Sequence, residues 1–275
     1  MNLLKLSFVF LCMLLFSAQA SHAQASAEEY LTSAEYFTQT SALEMVQSYV
    51  VDFRSDRFAA EPLTFGVEVP EHGQWTIEVS GQETETGWEV SLQKGLPQTP
   101  TFVYKIEHET LKGIYEGKLN ALTAQGKAFA GDYTPMQVYE MEGFETNPDV
   151  DSKINRFSFH FWTKGFPEIV PFSQEMTRRA HGSNFVVFYY EKGLRTAWYK
   201  VLPQEKVRHD PREQAMPFPM LIVATKGTTE GVVDGQRVSL PEGNTIFIPP
   251  FAPHKWWNET EEASEAILIM FGEGA

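Results

Sequence analysis

Short segments in which apolar and polar residues alternate recur through most of this chain, and they restrict its fold more than any other feature. Such alternation is typical of strands that pack one face and expose the other. In the first half it runs through Trp75–Val79 and Trp88–Leu92, and β-rich segments of the second half include Asn184–Glu191 and Arg195–Pro203. We therefore expect antiparallel sheet in both halves.

The first half combines these strands with helical patterns. Its first helix is predicted from four apolar residues on one helical face, Leu43, Val46, Val50 and Phe53. A second amphipathic helix is predicted from Leu111 to Leu119. Gly126–Asp132 is strand-like, and Pro135–Met141 is predicted to form a short closing helix. Together these elements predict an α+β domain.

The two halves are separated by a polar stretch, residues 143–156, which contains Pro148 and little apolar periodicity. This composition predicts a linker. Beyond it the segments are nearly all β-rich, with a turn signal at Lys192-Gly193 and a type I′ hairpin signal at Asp234-Gly235. Short strands at this spacing predict an all-β sandwich or barrel.

The first residues have the pattern of a secretory signal peptide. Lys5 precedes an apolar run, residues 6–16, and small residues at 17–23 offer cleavage sites. The run is too short to cross a bilayer as a helix. We therefore expect a signal peptide at 1–23, an α+β domain at 24–142, a linker at 143–156 and a β domain at 157–275. The mature chain would be soluble, secreted or periplasmic, with no transmembrane segment after removal of the signal.

Charge and cysteine content exclude several classes of function. The chain has 22 Lys and Arg against 36 Asp and Glu, a formal charge of −14. Such an acidic balance argues against nucleic acid as a partner, because binding to phosphates needs clustered basic residues. The single cysteine, Cys12, lies in the predicted signal peptide. A mature chain without it has no disulfide framework, thiolate metal cluster or catalytic cysteine.

A series of segments in the first half carries a family resemblance. Trp75-Thr-Ile-Glu-Val, Trp88-Glu-Val-Ser-Leu and Phe102-Val-Tyr-Lys-Ile are followed by the helix through Ile114, then by Gly117, residues 126–132 and Pro135-Met136. In this order, residues 40–142 resemble the lipid-binding domain of sterol carrier proteins. The resemblance implies an α+β fold in which a sheet and helices enclose an apolar tunnel for acyl chains or sterols.

This resemblance makes the apolar side chains of the region candidates for the tunnel lining, where burial of apolar surface alone would hold a lipid. The candidate ligand-binding residues are Phe102, Tyr104, Leu111, Ile114, Tyr115, Leu119 and Phe129. The alternative is that the same residues fill an ordinary core.

A spaced motif in the second half carries another resemblance. Gly243, Pro249, His254 and Asn258 match the pattern G-x5-P-x-G-x2-H-x3-N, with Phe251 in place of the central glycine. Residues 157–275 therefore resemble a cupin domain. The resemblance implies an all-β fold, the double-stranded β-helix or jelly-roll barrel.

The cupin resemblance also implies a divalent transition metal, iron, manganese or zinc, held by imidazole and carboxylate ligands in the barrel. The first metal motif of the family is degenerate in this chain. His209 and Glu213 lie near the expected ligand positions but not at them, so His209, Glu213 and His254 are the candidate ligands. Three readings stay open: this reduced metal site, a barrel that binds a small molecule without metal, and a barrel that binds nothing.

The leading functional hypothesis is an exported, soluble protein that binds lipids or other hydrophobic small molecules and carries an accessory cupin domain. The absence of G-x-S-x-G, H-E-x-x-H, P-loop and dinucleotide motifs favours a non-enzymatic role. The alternative is a metal-dependent cupin enzyme, an oxygenase or isomerase, whose apolar substrate is held by the N-terminal domain. A third hypothesis is a structural role, with a homodimer formed through the cupin.

Overall fold

The computed structural model describes residues 40–127, 132–163, 169–180, 182–207 and 215–275. The predicted signal peptide 1–23 and the candidates Phe129, His209 and Glu213 lie outside these residues. Contacts divide the chain into two units, Met1–Ser41 and Ala42–Ala275. All the elements named below belong to the second unit.

The N-terminal region of this unit combines four helices with a five-stranded sheet. The helices are α1 (Ala42–Phe53), α2 (His108–Tyr115), α3 (Ala121–Gln125) and α4 (Pro148–Phe161). The strands are β1 (Leu63–Val69), β2 (Gly73–Thr84), β3 (Gly87–Lys94), β4 (Phe102–Ile106) and β5 (Met136–Glu140). They lie in the order β3-β2-β1-β4-β5, with β1 and β4 parallel and the other neighbours antiparallel.

The period-two pattern of the sequence produces one packed face of this sheet. Phe65, Val67 and Val69 of β1 are buried, while Glu68 between them pairs with Lys105 of β4 at 3.2 Å on the other face. The rings of Phe65 and Phe102 are stacked, with centroids 5.6 Å apart. Burial of these large apolar side chains supplies most of the driving force for the folding of this region.

Helix α4 begins inside the stretch 143–156, which the sequence predicted as a linker. Ile154, Phe157 and Phe161 are buried in the same core as the sheet. The ring of Phe161 lies 5.0 Å from that of Phe65. Residues 148–156 are therefore helix rather than linker. The sequence does not predict the start of this helix, because its apolar positions, spaced i, i+3 and i+7, lie mostly beyond residue 156 and follow a polar first turn.

Strand β5 corrects a second expectation. The sequence predicted a closing helix over Pro135–Met141, but Met136–Glu140 pairs antiparallel with β4 along its whole length. These residues form a strand rather than a helix because the backbone N–H and C=O groups along one edge of β4 would otherwise lack hydrogen-bond partners. Of the strand expected over Gly126–Asp132, residues 126 and 127 are in no strand and 128–131 lie outside the described residues.

The C-terminal region is nearly all strand. Its strands are β6 (Arg178–Ala180), β7 (Ser183–Glu191), β8 (Leu194–Val201), β9 (Met220–Lys226), β10 (Thr228–Val233), β11 (Gln236–Pro241), β12 (Thr245–Ile248), β13 (His254–Trp257) and β14 (Ser264–Phe271). They form a six-stranded sheet, β12-β9-β14-β8-β7-β6, and a three-stranded sheet, β11-β10-β13. Two antiparallel sheets in one region agree with the predicted cupin barrel.

The predicted hairpin at Asp234-Gly235 is confirmed. The two residues connect β10 to β11, and Val233 is opposite Gln236 in the register. Asp234 and Gly235 have φ angles of 48° and 76°. Positive φ at both central residues is the requirement of a type I′ turn, which Asp and Gly meet at low cost.

Within the described residues, no helix is long and apolar enough to cross a membrane.

Replacing Phe161 with Ala is expected to lower the free energy of unfolding by about 3 to 5 kcal/mol, because it removes a fully buried ring from the first core. Chemical denaturation of the full chain measures this change. Val51, on the exposed side of α1, is the matched control, and its change to Ala should alter stability by about 0.5 kcal/mol at most. Equal, small effects at the two positions would show that α4 does not belong to the core.

Phe251, which replaces the motif glycine, has a φ of 63° and a ring that is 68% exposed. Replacing it with Gly is expected to raise the free energy of unfolding by about 1 kcal/mol, because left-handed backbone is strained for a bulky residue. Phe251→Ala is the control, since Ala loses the ring but keeps the strained Cβ. The expectation fails if the glycine variant is no more stable than the alanine variant.

Candidate functional site

The six described candidates for a lipid tunnel lie in the first core. Phe102, Tyr104, Leu111 and Ile114 are buried, and Tyr115 and Leu119 are partly buried against them. The rings of Phe102 and Tyr104 meet edge to face at 5.4 Å. These side chains are packed against one another and against the sheet and helices. A tunnel lined by them stays a prediction.

A partly open cavity of about 770 Å³ lies instead along the inner face of the barrel of the C-terminal region. The walls come from the inner face of the six-stranded sheet, from β13, and from residues of α3, β5 and α4. This volume is in the range of sites for small molecules, and such sites are mostly apolar with a few placed polar groups.

The N-terminal region is attached to the barrel at the edge of β7. Val187 donates its N–H to Oγ1 of Thr123 (2.8 Å), and its carbonyl accepts from Nδ2 of Asn120 (2.9 Å). Asn120 also caps α3, because its side chain accepts from the N–H of Thr123. These bonds fix α3 beside the cavity, where Leu122 and Gln125 form part of the wall.

The register of β8 and β14 sets the order of side chains along the cavity. Four directly paired positions line it: Val201 with Ser264, Tyr199 with Ala266, Ala197 with Leu268, and Arg195 with Met270. Because alternate residues of a strand face the same side, all eight share the inner face. The middle of the cavity is apolar, and Ser264 and Arg195 stand at opposite ends.

The inner face of β14 is more accessible than its position would suggest. The strand lies between β8 and β9, yet Ala266, Leu268 and Met270 are only half-buried. Central strands are normally well packed on a covered face. The accessibility of these three side chains is explained by the open space that they line.

Tyr199 brings a hydroxyl group to the same wall. Burial raises the pKa of this phenol above its usual value of 10.0. Its ring packs against Phe185 with centroids 6.0 Å apart. Its hydroxyl has no hydrogen-bond partner in the part of the chain that is described. The phenol therefore stays protonated at neutral pH and presents a hydrogen-bond donor to the cavity.

His254 lies on β13 and is buried, with Nδ1 placed 3.0 Å from the carbonyl oxygen of Ala252. A carbonyl only accepts, so Nδ1 carries a proton in this bond. Burial lowers the pKa of His254, and the carbonyl partly opposes that change. The imidazole is therefore neutral near pH 7, with its lone pair on Nε2.

Buried polar atoms of Trp256 and Ser264 also belong to the cavity wall. Nε1 of Trp256 and Oγ of Ser264 make no hydrogen bond with any described residue, although their side chains are 6% and 1% exposed. An unsatisfied buried donor is unfavourable by about 1 to 3 kcal/mol, so such groups are typical of sites completed by a ligand or water. No sequence motif marks either residue as functional.

The metal predicted from the cupin resemblance has little support in the described part of the site. No group of three His, Cys, Asp or Glu side chains among the described residues could hold an ion. His254 is the one candidate ligand of the three that is described. The described residues do not by themselves form a cupin metal site, and the ligand set with His209 and Glu213 stays a prediction.

No family model matches the chain, and no curated protein matches it. Solved structures do match. A Cupin 2 conserved barrel domain protein from Salinispora arenicola is 19% identical, with 38% of this chain and 88% of that chain covered and a TM-score of 0.34. The Cnp3 cupin domain of Schizosaccharomyces pombe is 12% identical over 38% and 76%, with a TM-score of 0.34. A predicted oxalate decarboxylase from Thermotoga maritima is 15% identical over 32% and 79%, with a TM-score of 0.30.

With TM-scores of 0.34 or less, these likenesses carry no argument about the fold, ligand or activity of this chain. The two antiparallel sheets of the β-rich region agree by themselves with the barrel that the sequence predicts.

Replacing Tyr199 with Phe is expected to reduce the loss of stability at alkaline pH. The raised pKa means that the folded protein keeps the phenol proton where the unfolded chain releases it. The resulting stabilisation is complete below pH 10.0, the unfolded value, and is lost as the pH rises through the folded pKa. Denaturation at pH values between about 9 and about 11 measures how steeply the free energy of unfolding falls with pH. Tyr133→Phe, at a 63% exposed tyrosine, is the control and should not change it. Identical slopes for wild type and Tyr199→Phe would contradict the burial of this phenol.

Proposed function

We propose that the protein binds a predominantly apolar small molecule in the barrel cavity. One observation carries the proposal: the cavity of about 770 Å³ is lined along its middle by Ala197, Ala266, Leu268 and Ile222. A ligand that buries apolar surface there gains about 25 cal/mol for each Å² removed from water. The proposal assigns the hydrophobic ligand to the cupin-like region, which the sequence indicated as an accessory domain.

Lipid binding by the N-terminal region remains a separate part of the proposal. It is supported by the sterol carrier resemblance over residues 40–142. A ligand among Phe102, Tyr104 and Leu111 would have to displace side chains that are at most 1% exposed. The barrel cavity needs no such rearrangement, and for this reason we favour it as the binding site.

Export is also proposed, on the pattern of residues 1–23 alone. A homodimer formed through the cupin likewise remains a proposal.

One observation favours the enzymatic alternative, a metal-dependent oxygenase or isomerase. The neutral imidazole of His254 lines the cavity together with Val207 and Met216, which are the lining residues closest in the sequence to His209 and Glu213. Elemental analysis of protein purified without a chelating tag tests this alternative. Stoichiometric iron, manganese or zinc that is lost in His254→Ala would support it, and metal-free wild-type protein would contradict it.

Replacing Ala266 with Phe is expected to abolish binding of apolar ligands, because the new ring would occupy the middle of the cavity. Native mass spectrometry with solvent extraction identifies any ligand retained by the wild type. Displacement of a fluorescent apolar probe then gives the affinities of wild type and variant. The expected loss in Ala266→Phe is about tenfold or more, with thermal stability unchanged or raised because the ring fills empty space.

Val51→Phe is the matched control, since it adds the same ring to the exposed side of α1. It should bind as the wild type does. A wild-type protein that carries no extractable ligand and binds no apolar probe would refute the proposed function. Unchanged binding in a folded Ala266→Phe variant would place the ligand outside the barrel cavity.

A further inference from the structure

The cavity wall contains one partly buried cation, Arg195, and also includes the exposed carboxylates Glu140 and Asp151. Arg195 lines it from β8, where it is paired with Met270 near the end of β14. Its guanidinium lies over the ring of Tyr190 at 4.6 Å and near that of Phe218 at 5.3 Å. These two contacts restrict the orientation of the guanidinium plane and leave the N–H groups at its edge available for hydrogen bonds.

The hydrogen-bonding capacity of Arg195 is largely unused. One bond, from Nη2 to the carbonyl oxygen of Gly274, is long at 3.4 Å. Nε is buried and has no partner among the described residues. Arg195 also forms no ion pair with any described carboxylate. Arg179 and Arg237, by contrast, pair with Glu205 and Glu259.

A guanidinium beside an apolar space, without an ion-pair partner among the described residues, can bind an anion that arrives with the ligand. A carboxylate matches the planar fork of arginine and forms two parallel hydrogen bonds with it. The acidic chain repels small free anions in general. An anion would therefore need an apolar part that binds in the cavity to gain affinity.

The wall beyond Arg195 fits such a molecule. The apolar side chains of the middle of the cavity follow in register, and Ser264 ends the row six residues along β14. At about 3.3 Å for each residue, this path is roughly 20 Å long. An extended chain of medium length can lie along it.

Resting on the proposed function, we propose that the cavity binds an amphipathic carboxylic acid, with its carboxylate on Arg195 and its chain directed towards Ser264. Lys127 also lines the cavity, but it is exposed at the rim, where water weakens its interaction with an anion. Arg195 is therefore the head-group residue, and it selects acids over neutral molecules of the same length.

Binding of decanoate and of decanol to the full chain tests this assignment, because the two ligands share a chain and differ in charge. Arg195→Gln should weaken binding of decanoate about tenfold or more and leave that of decanol within about twofold of the wild type. Arg195→Lys keeps the charge but loses the fork, so its affinity for decanoate should fall between the other two. Arg237→Gln, the same change at an exposed arginine outside the cavity wall, is the matched control and should bind both ligands as the wild type does.

Other results would overturn the inference. Equal weakening of both ligands in Arg195→Gln would mean that the arginine only supports the wall. Unchanged binding of decanoate in that variant would mean that the head group lies elsewhere. A selective loss of decanoate in Ser264→Ala, with none in Arg195→Gln, would mean that the molecule is reversed. A wild-type protein that binds decanol and the apolar probe but not decanoate keeps the proposed function and refutes the carboxylate. Failure to bind any of the three refutes the proposed function itself.

Discussion

The hydrogen bonds between α3 and the edge of β7 are the interaction on which the cavity depends. Beyond Phe185, none of the described strands pairs with the outer side of β7, because β6 is only three residues long. Thr123 and Asn120 satisfy both backbone groups of Val187 in place of another strand. The same bonds hold Leu122 and Gln125 against the barrel, so one side of the cavity is built by residues far away in the sequence.

The two regions use their apolar residues in different ways. The first fills its interior with aromatic rings, including Tyr49, Phe65 and Phe157, which are fully buried. The second places two small side chains, Ala197 and Ala266, diagonally across β8 and β14 on the inner face of its sheet, and space remains. A bound molecule therefore finds room in the barrel, although the sterol carrier resemblance implied a tunnel in the first half.

Local signals made part of this structure predictable. The Asp234-Gly235 turn, the alternating strands and the spacing that ends in His254 each lie within a few residues, and the structure agrees with them. The sequence is misleading where distant residues decide the structure. Strand β5 is a strand because β4 needs a partner, and Arg195 and Ser264 line one cavity because pairing across β8 and β14 brings them to one face. No periodicity within one segment contains that information.

The position of α4 has a consequence for how this chain can be divided. A fragment that starts at residue 157, after the stretch with linker-like composition, would cut this helix within its last turns. It would carry Phe157 and Phe161 without the sheet that buries them, and it would leave Phe53 and Phe65 of the other fragment facing water. Both fragments would then expose apolar surface that is normally buried. Proteolysis or recombination at this point would therefore yield two fragments that aggregate rather than two folded domains.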